Sequence, residues 1–142
     1  MNMDLGSFQM MRFPDNGNII YVILFARKGE PQGVPIYVGE STKHVGRLGD
    51  YVSAKFSAST DFRVGEAIRY LQSLGYDVLM RYRESHNRRV EERDLINSLR
   101  GSFRLLNDME SYKYKFADEE QERSKIHAFI ELLLCASPPY LM

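Results

Sequence analysis

The chain of 142 residues has a single cysteine, Cys135, so it forms no internal disulfide and no thiolate zinc cluster. Set among leucines 132–134, Cys135 reads as a small buried hydrophobe. Nowhere does an apolar run approach the ~20 residues of a membrane span, and residues 1–13 lack a basic-then-apolar targeting pattern. The expectation is a cytoplasmic protein with no membrane contact. Net charge is also missing: 19 Lys/Arg balance 19 Asp/Glu. A neutral net charge does not advertise nucleic-acid binding. The three histidines, His44, His86 and His127, have no paired spacing, which speaks against a His-based metal site. There is no P-loop, no G-x-G-x-x-G and no G-x-S-x-G around Ser41, and no repeat, low-complexity tract or clear linker.

What is present is an ordinary globular composition, 44% hydrophobic and 27% charged, sized for one domain over residues 1–142. Charge is unevenly placed. Residues 43–104 hold 12 basic and 8 acidic side chains, a local +4, whereas residues 105–142 carry a local −3. The middle therefore permits a phosphate ligand without demanding one.

Residues 19–25 (IIYVILF) are apolar, β-branched and aromatic, which predicts a strand buried on both faces. Two glycines and two prolines in residues 26–35 predict a long hairpin loop, with a return strand over residues 36–39. Ser41 or Thr42 suits the cap of a helix carrying Arg47 and Tyr51, one turn apart, though Gly46 and Gly49 weaken it. A second helix, capped by Asp61, buries Val64, Ile68 and Leu71 and stops at Gly75. A third strand follows over residues 76–82, then a helix over residues 88–100. Residues 103–108 read as extended. Residues 113–116 (KYKF) alternate basic and aromatic groups suited to a single strand of nucleic acid, or to an ordinary loop. A last helix, about 118–136 and capped by Asp118, carries the stripe Ile126, Phe129, Ile130, Leu133 and Leu134. This order predicts an α+β fold with a small antiparallel or mixed three-stranded sheet flanked by helices.

Several polar residues fall where such a fold places chemistry. Tyr21 is mid-strand, Tyr37 opens the return strand, and Arg47 and Tyr51 share a helix face. Glu92 lies on the apolar stripe of its helix, with Leu95, Ile96 and Leu99 at i+3, i+4 and i+7. A carboxylate on a core-facing stripe is costly without a cation, so Glu92 is either paired, with Arg88 at i−4 the obvious partner, or a metal ligand.

In these residues the chain resembles the GIY-YIG nucleases. Their two strand motifs would read Ile19-Ile20-Tyr21 and Tyr37-Val38-Gly39, with Arg47 and Tyr51 on the following helix. Glu92-Arg93-Asp94-Leu95-Ile96 matches the family's Glu-x-x-Leu-Ile, and Asn107 stands where an asparagine follows. The resemblance covers residues 19–107. It departs in having Ile19 for the usual glycine, a longer loop between the strands and no separate DNA-binding domain.

The resemblance implies an endonuclease that hydrolyses DNA phosphodiester bonds with one Mg²⁺ or Mn²⁺ held by Glu92. Arg47 would meet the charge developing on the phosphate, because a guanidinium stays ionised and grips two oxygens. Tyr21 or Tyr37 would take the proton of the attacking water; with a free pKa near ~10 this needs a neighbouring cation, from Arg47, the metal or Lys43. Tyr51 would hold the phosphate or orient water, and Asn107 would brace the site. One carboxylate suffices, since Mg²⁺ keeps most of its waters. DNA binding by the chain alone is expected to be weak, with a salt slope of roughly −2 to −4, leaving room for a protein partner, or for a homodimer where both strands are cut. The alternative is a catalytically inactive module of the same fold that binds nucleic acid or protein.

Overall fold

The computed structural model describes residues 18–30, 33–41, 50–51 and 53–135. Arg47, Lys43 and the helix predicted to follow Ser41 or Thr42 fall largely or wholly outside the described residues.

The fold is α+β. Three antiparallel strands, β1 (Ile19–Arg27), β2 (Val34–Ser41) and β3 (Tyr76–Glu84), form one sheet in the order β2-β1-β3. Helices α1 (Ser59–Ser73), α2 (Arg88–Arg100) and α3 (Glu119–Cys135) flank it among the described residues. β1 is central and buried on both faces, which is why its sequence lacks polar alternation.

Its side chains divide between two cores. Ile19, Tyr21, Ile23 and Phe25 point to one face and pack with Val64, Ile68 and Leu71 of α1 and Ile126, Ile130 and Leu133 of α3. Ile20, Val22 and Leu24 point to the other and pack with Val38 of β2 and with Leu99, Phe103 and Leu105 in and after α2. The period-2 geometry of a strand makes this division.

Several boundaries differ from expectation, each for a local reason. β2 begins at Val34 rather than Ile36, and the hairpin loop is correspondingly shorter. The register slips between Ile23 and Leu24, and this irregularity on an edge strand accommodates Pro35, which cannot donate to a ladder. α1 starts at Ser59, preceded by Ala58 with no side-chain cap, so Asp61 lies in the first turn instead of capping. Asp118 does cap α3, accepting from the backbone N–H of Glu120 at 2.9 Å and of Gln121 at 3.2 Å. Gly75 closes α1 with φ +92°, a conformation that favours glycine. Residues 106–108 form a 3₁₀ turn rather than an extended stretch. Cys135 is exposed, not buried: it lies two residues past Leu133 and off the apolar stripe.

Candidate functional site

β1 and β2 deliver Tyr21 and Tyr37 to the same sheet face, and the segment before α1 brings Tyr51 onto them. The rings form a cluster: Tyr21 and Tyr37 have centroids 6.4 Å apart, Tyr21 and Tyr51 6.3 Å, and Tyr37 and Tyr51 5.9 Å, the last edge-on at 77°. The hydroxyls of Tyr21 and Tyr51 are hydrogen-bonded to each other, and either can donate. Both residues are buried, at 1% and 0% exposure, whereas Tyr37 is half-buried and lines a cavity of about 150 Å³. Of the two tyrosines proposed from the sequence as proton acceptor, Tyr37 is thus the one that borders open space. Tyr51 is placed to hold Tyr21 rather than to meet a ligand directly.

Two glycines make this cluster possible. Gly39 lies opposite Tyr21 in the β1–β2 ladder, and a Cβ there would come within 2.3 Å of the Tyr21 ring and hydroxyl. The tyrosine of one strand motif therefore rests on the glycine of the other. Gly65, inside α1, carries the Tyr51 backbone against the helix: a Cβ would stand 1.9 Å from the Tyr51 carbonyl oxygen. A glycine in mid-helix costs ~1 kcal/mol relative to alanine, and that cost was the sequence signal for this close approach. Gly39→Ala is expected to destabilise the protein by about 1–3 kcal/mol through overpacking and to alter near-ultraviolet tyrosine dichroism as Tyr21 leaves Tyr51. An unchanged melting temperature and spectrum would show that the ring yields freely.

Asn107 braces β2. Its Oδ1 accepts from the Val38 N–H at 2.8 Å and its Nδ2 donates to the Val38 carbonyl at 2.7 Å. One side-chain amide thus satisfies both backbone groups on the strand's outer edge, as a neighbouring strand would. It also holds the residue next to Tyr37.

Glu92 comes to β2 from the other face, on α2. It is half-buried, and among the described residues it makes no hydrogen bond or ion pair. Arg88, the partner expected at i−4, pairs instead with Glu40 of β2. Burial, and then the negative charge of Glu40, raise the Glu92 carboxyl above its ordinary value. The structure thus brings Tyr21, Tyr37 and Tyr51 together with Asn107 behind them, and sets Glu92 beside Glu40 on the α2 side. Two carboxylates with one guanidinium make a small electronegative spot. Among the described residues no three His, Cys, Asp or Glu side chains group around a common point, but a hard cation that retains its waters requires only one or two carboxylates.

A charged network joining α1 to α3 was not apparent from the sequence. Glu66, 7% exposed, accepts from His127 Nε2 at 2.7 Å, Arg69 at 3.1 Å and Arg123 at 3.3 Å. Burial pushes its carboxyl up, but these three donors outweigh burial and hold it below the usual range. Tyr70 stacks on His127 with centroids 3.9 Å apart. Nearby, Arg63 binds Glu122 at 2.5 Å and also the Glu110 carbonyl. Tyr112, over which Arg63 lies, is pushed up to about 12, by burial first, with Arg63 opposing and Glu122 and Glu119 reinforcing the rise. Only the charged letters on amphipathic helices hinted at these pairs, and such letters usually denote a solvated face.

Among the described residues no helix is long and apolar enough to cross a membrane. Compared with protein-family models, with curated proteins and with solved structures, the chain matches none.

Proposed function

We propose that the chain is a metal-dependent endonuclease of the GIY-YIG type, hydrolysing DNA phosphodiester bonds with one divalent cation. The observation that carries this reading is Glu92. A half-buried carboxylate with no counter-cation among the described residues, raised by its own burial and by Glu40, is a standing cost to the fold. Glu92, with Glu40 beside it, would supply the hard oxygen donors that Mg²⁺ or Mn²⁺ takes, and a bound ion would remove that cost. The ion's chemistry there is to neutralise charge on the phosphate and its leaving oxygen.

The other residues take their roles from the resemblance. Tyr37 borders the cavity, across the edge strand β2 from Glu92, and on this reading accepts a proton from an attacking water. Tyr21 and Tyr51 fix the wall behind it through their shared hydrogen bond. Asn107 holds the strand between them. Arg47 is assigned to the phosphate from the sequence, and Lys43 to the same neighbourhood.

A second reading, a non-catalytic module that binds nucleic acid or protein, is favoured by one observation: Tyr21 and Tyr51 are core residues, able to hold the fold without any reaction. Plasmid nicking separates the two. The enzyme reading expects Mg²⁺- or Mn²⁺-dependent conversion of supercoiled to nicked circles, abolished in EDTA. Tyr37→Phe is expected to lower turnover about 10²-fold, the scale of one positioned acid–base group, with little change in DNA affinity. Absence of nicking in either metal, or full activity in EDTA, overturns it.

A further inference from the structure

The lysine–aromatic run over residues 113–116 has no part in the site above, and the fold gives it a definite shape. Tyr112, just before it, is anchored. Its ring stacks on Phe56 with centroids 4.7 Å apart, its hydroxyl donates to the Phe56 carbonyl, and Arg63 lies over it. A 3₁₀ turn, Tyr114–Phe116, then carries the next two rings outward. Tyr114 is edge-on to Phe56 and 53% exposed. Phe116 is 87% exposed and meets no other ring among the described residues. Burying a phenylalanine is worth ~1.5–3 kcal/mol, yet a turn fixed on a stacked pair holds this one out. Ser111, next to Tyr112, lines the cavity that Tyr37 borders, so these rings adjoin the candidate site.

The charges around the rings are sorted by sign. Lys113, Lys115 and Lys55 are exposed and make no ion pair among the described residues. The acids that follow in the chain are committed: Asp118 caps α3, and Arg123 binds both Glu119 and Glu120. Glu110, at the start of the segment, is exposed. Three free cations among these acids give a small, short-range attraction for an anion, so the rings have to supply most of the recognition.

We propose that Tyr114 and Phe116 are a stacking platform for unpaired bases of a nucleic-acid strand, with Lys55, Lys113 and Lys115 meeting its phosphates. A single strand alternates flat bases with anionic phosphates, as this segment alternates rings with cations. In a duplex the base faces already stack on one another, so the platform selects an unpaired strand. That the strand is DNA, presented to Tyr37, rests on the nuclease reading; the stacking does not.

The test places a reporter on the platform. The chain has no tryptophan, so Phe116→Trp gives it a single one. With the full chain in EDTA, an unstructured thymidine octanucleotide is expected to quench that emission saturably, and an abasic strand of the same length to leave it unchanged. Phe116→Ala is expected to bind a labelled octanucleotide about tenfold more weakly, or about 1.4 kcal/mol, the scale of one stacked base. Its melting temperature should hold, because the ring is exposed. Lys113→Gln combined with Lys115→Gln is expected to flatten the log–log salt slope by roughly 1.4; an unmoved slope would overturn the role given to the lysines. Equal quenching by the abasic strand, or undiminished binding by Phe116→Ala, would overturn the platform. So would absence of quenching by thymidine, which would leave the rings to a protein partner. Quenching in a protein that never nicks DNA supports the platform and removes the nuclease reading, and nicking without quenching does the reverse.

Discussion

The Glu92→Gln protein is expected to melt at or above the wild-type temperature at pH 7 in EDTA, while its metal-dependent nicking of DNA falls by at least ~10³-fold. The loss follows from removing the charge that holds a cation worth several kcal/mol to the transition state. The stability change follows from the sign of the shift. Glu92 is raised in the folded state by burial and by Glu40. A raised carboxyl is a penalty that is full above its folded pKa. The penalty fades as pH falls through that value and is absent below the unfolded one. The advantage of glutamine should therefore be present at neutral pH and vanish in acid. Mg²⁺ should raise the melting temperature of the wild type, by mass action on the folded form, and leave Glu92→Gln unmoved. A variant that nicks at the wild-type rate, or a wild type indifferent to Mg²⁺ in both assays, would refute the metal assignment.

Glu66→Ala is expected to cost about 1–2 kcal/mol, because it removes the shared acceptor of His127, Arg69 and Arg123, each about one-third exposed, where α1 meets α3. For a chain of this size that is roughly a 5 °C fall in melting temperature. The sign is opposite to that of Glu92. Although burial raises it, the Glu66 carboxyl is held below its ordinary value of 4.5 by its three donors. Its stabilising contribution is present above that value and is lost as pH falls through the depressed folded one. Wild type and variant should therefore converge in acid, read by denaturant titration across pH. A difference below 1 kcal/mol at neutral pH would mean that the network is a surface arrangement of little weight.

The fold was legible where burial dictates composition. β1 is apolar on both faces because it is the middle strand, and the α3 stripe of Ile126, Ile130 and Leu133 is the contact it makes. The reading failed where tertiary structure overrides local punctuation. Pro35 looks like a loop residue, and an irregular edge strand accommodates it. The candidate site was partly legible: three tyrosines spaced far apart in sequence do meet, with Asn107 behind them. The Arg88–Glu92 pair suggested by helical spacing gave way to Arg88–Glu40, a contact across 48 positions that no local rule contains. For the same reason Arg63–Glu122 and Glu66–His127, separated by 59 and 61 positions, left no trace in the sequence pattern.

The amide of Asn107 has a consequence for the protein's life among other chains. β2 lies at the margin of the sheet, and an open margin invites extended segments of neighbouring molecules to add on, the first step toward aggregates. By closing both outward groups of Val38 with a side chain, Asn107 interrupts that template in the middle of the strand. The residue that steadies the wall next to Tyr37 is also a guard against self-association, so the same position is constrained by solubility as well as by the site.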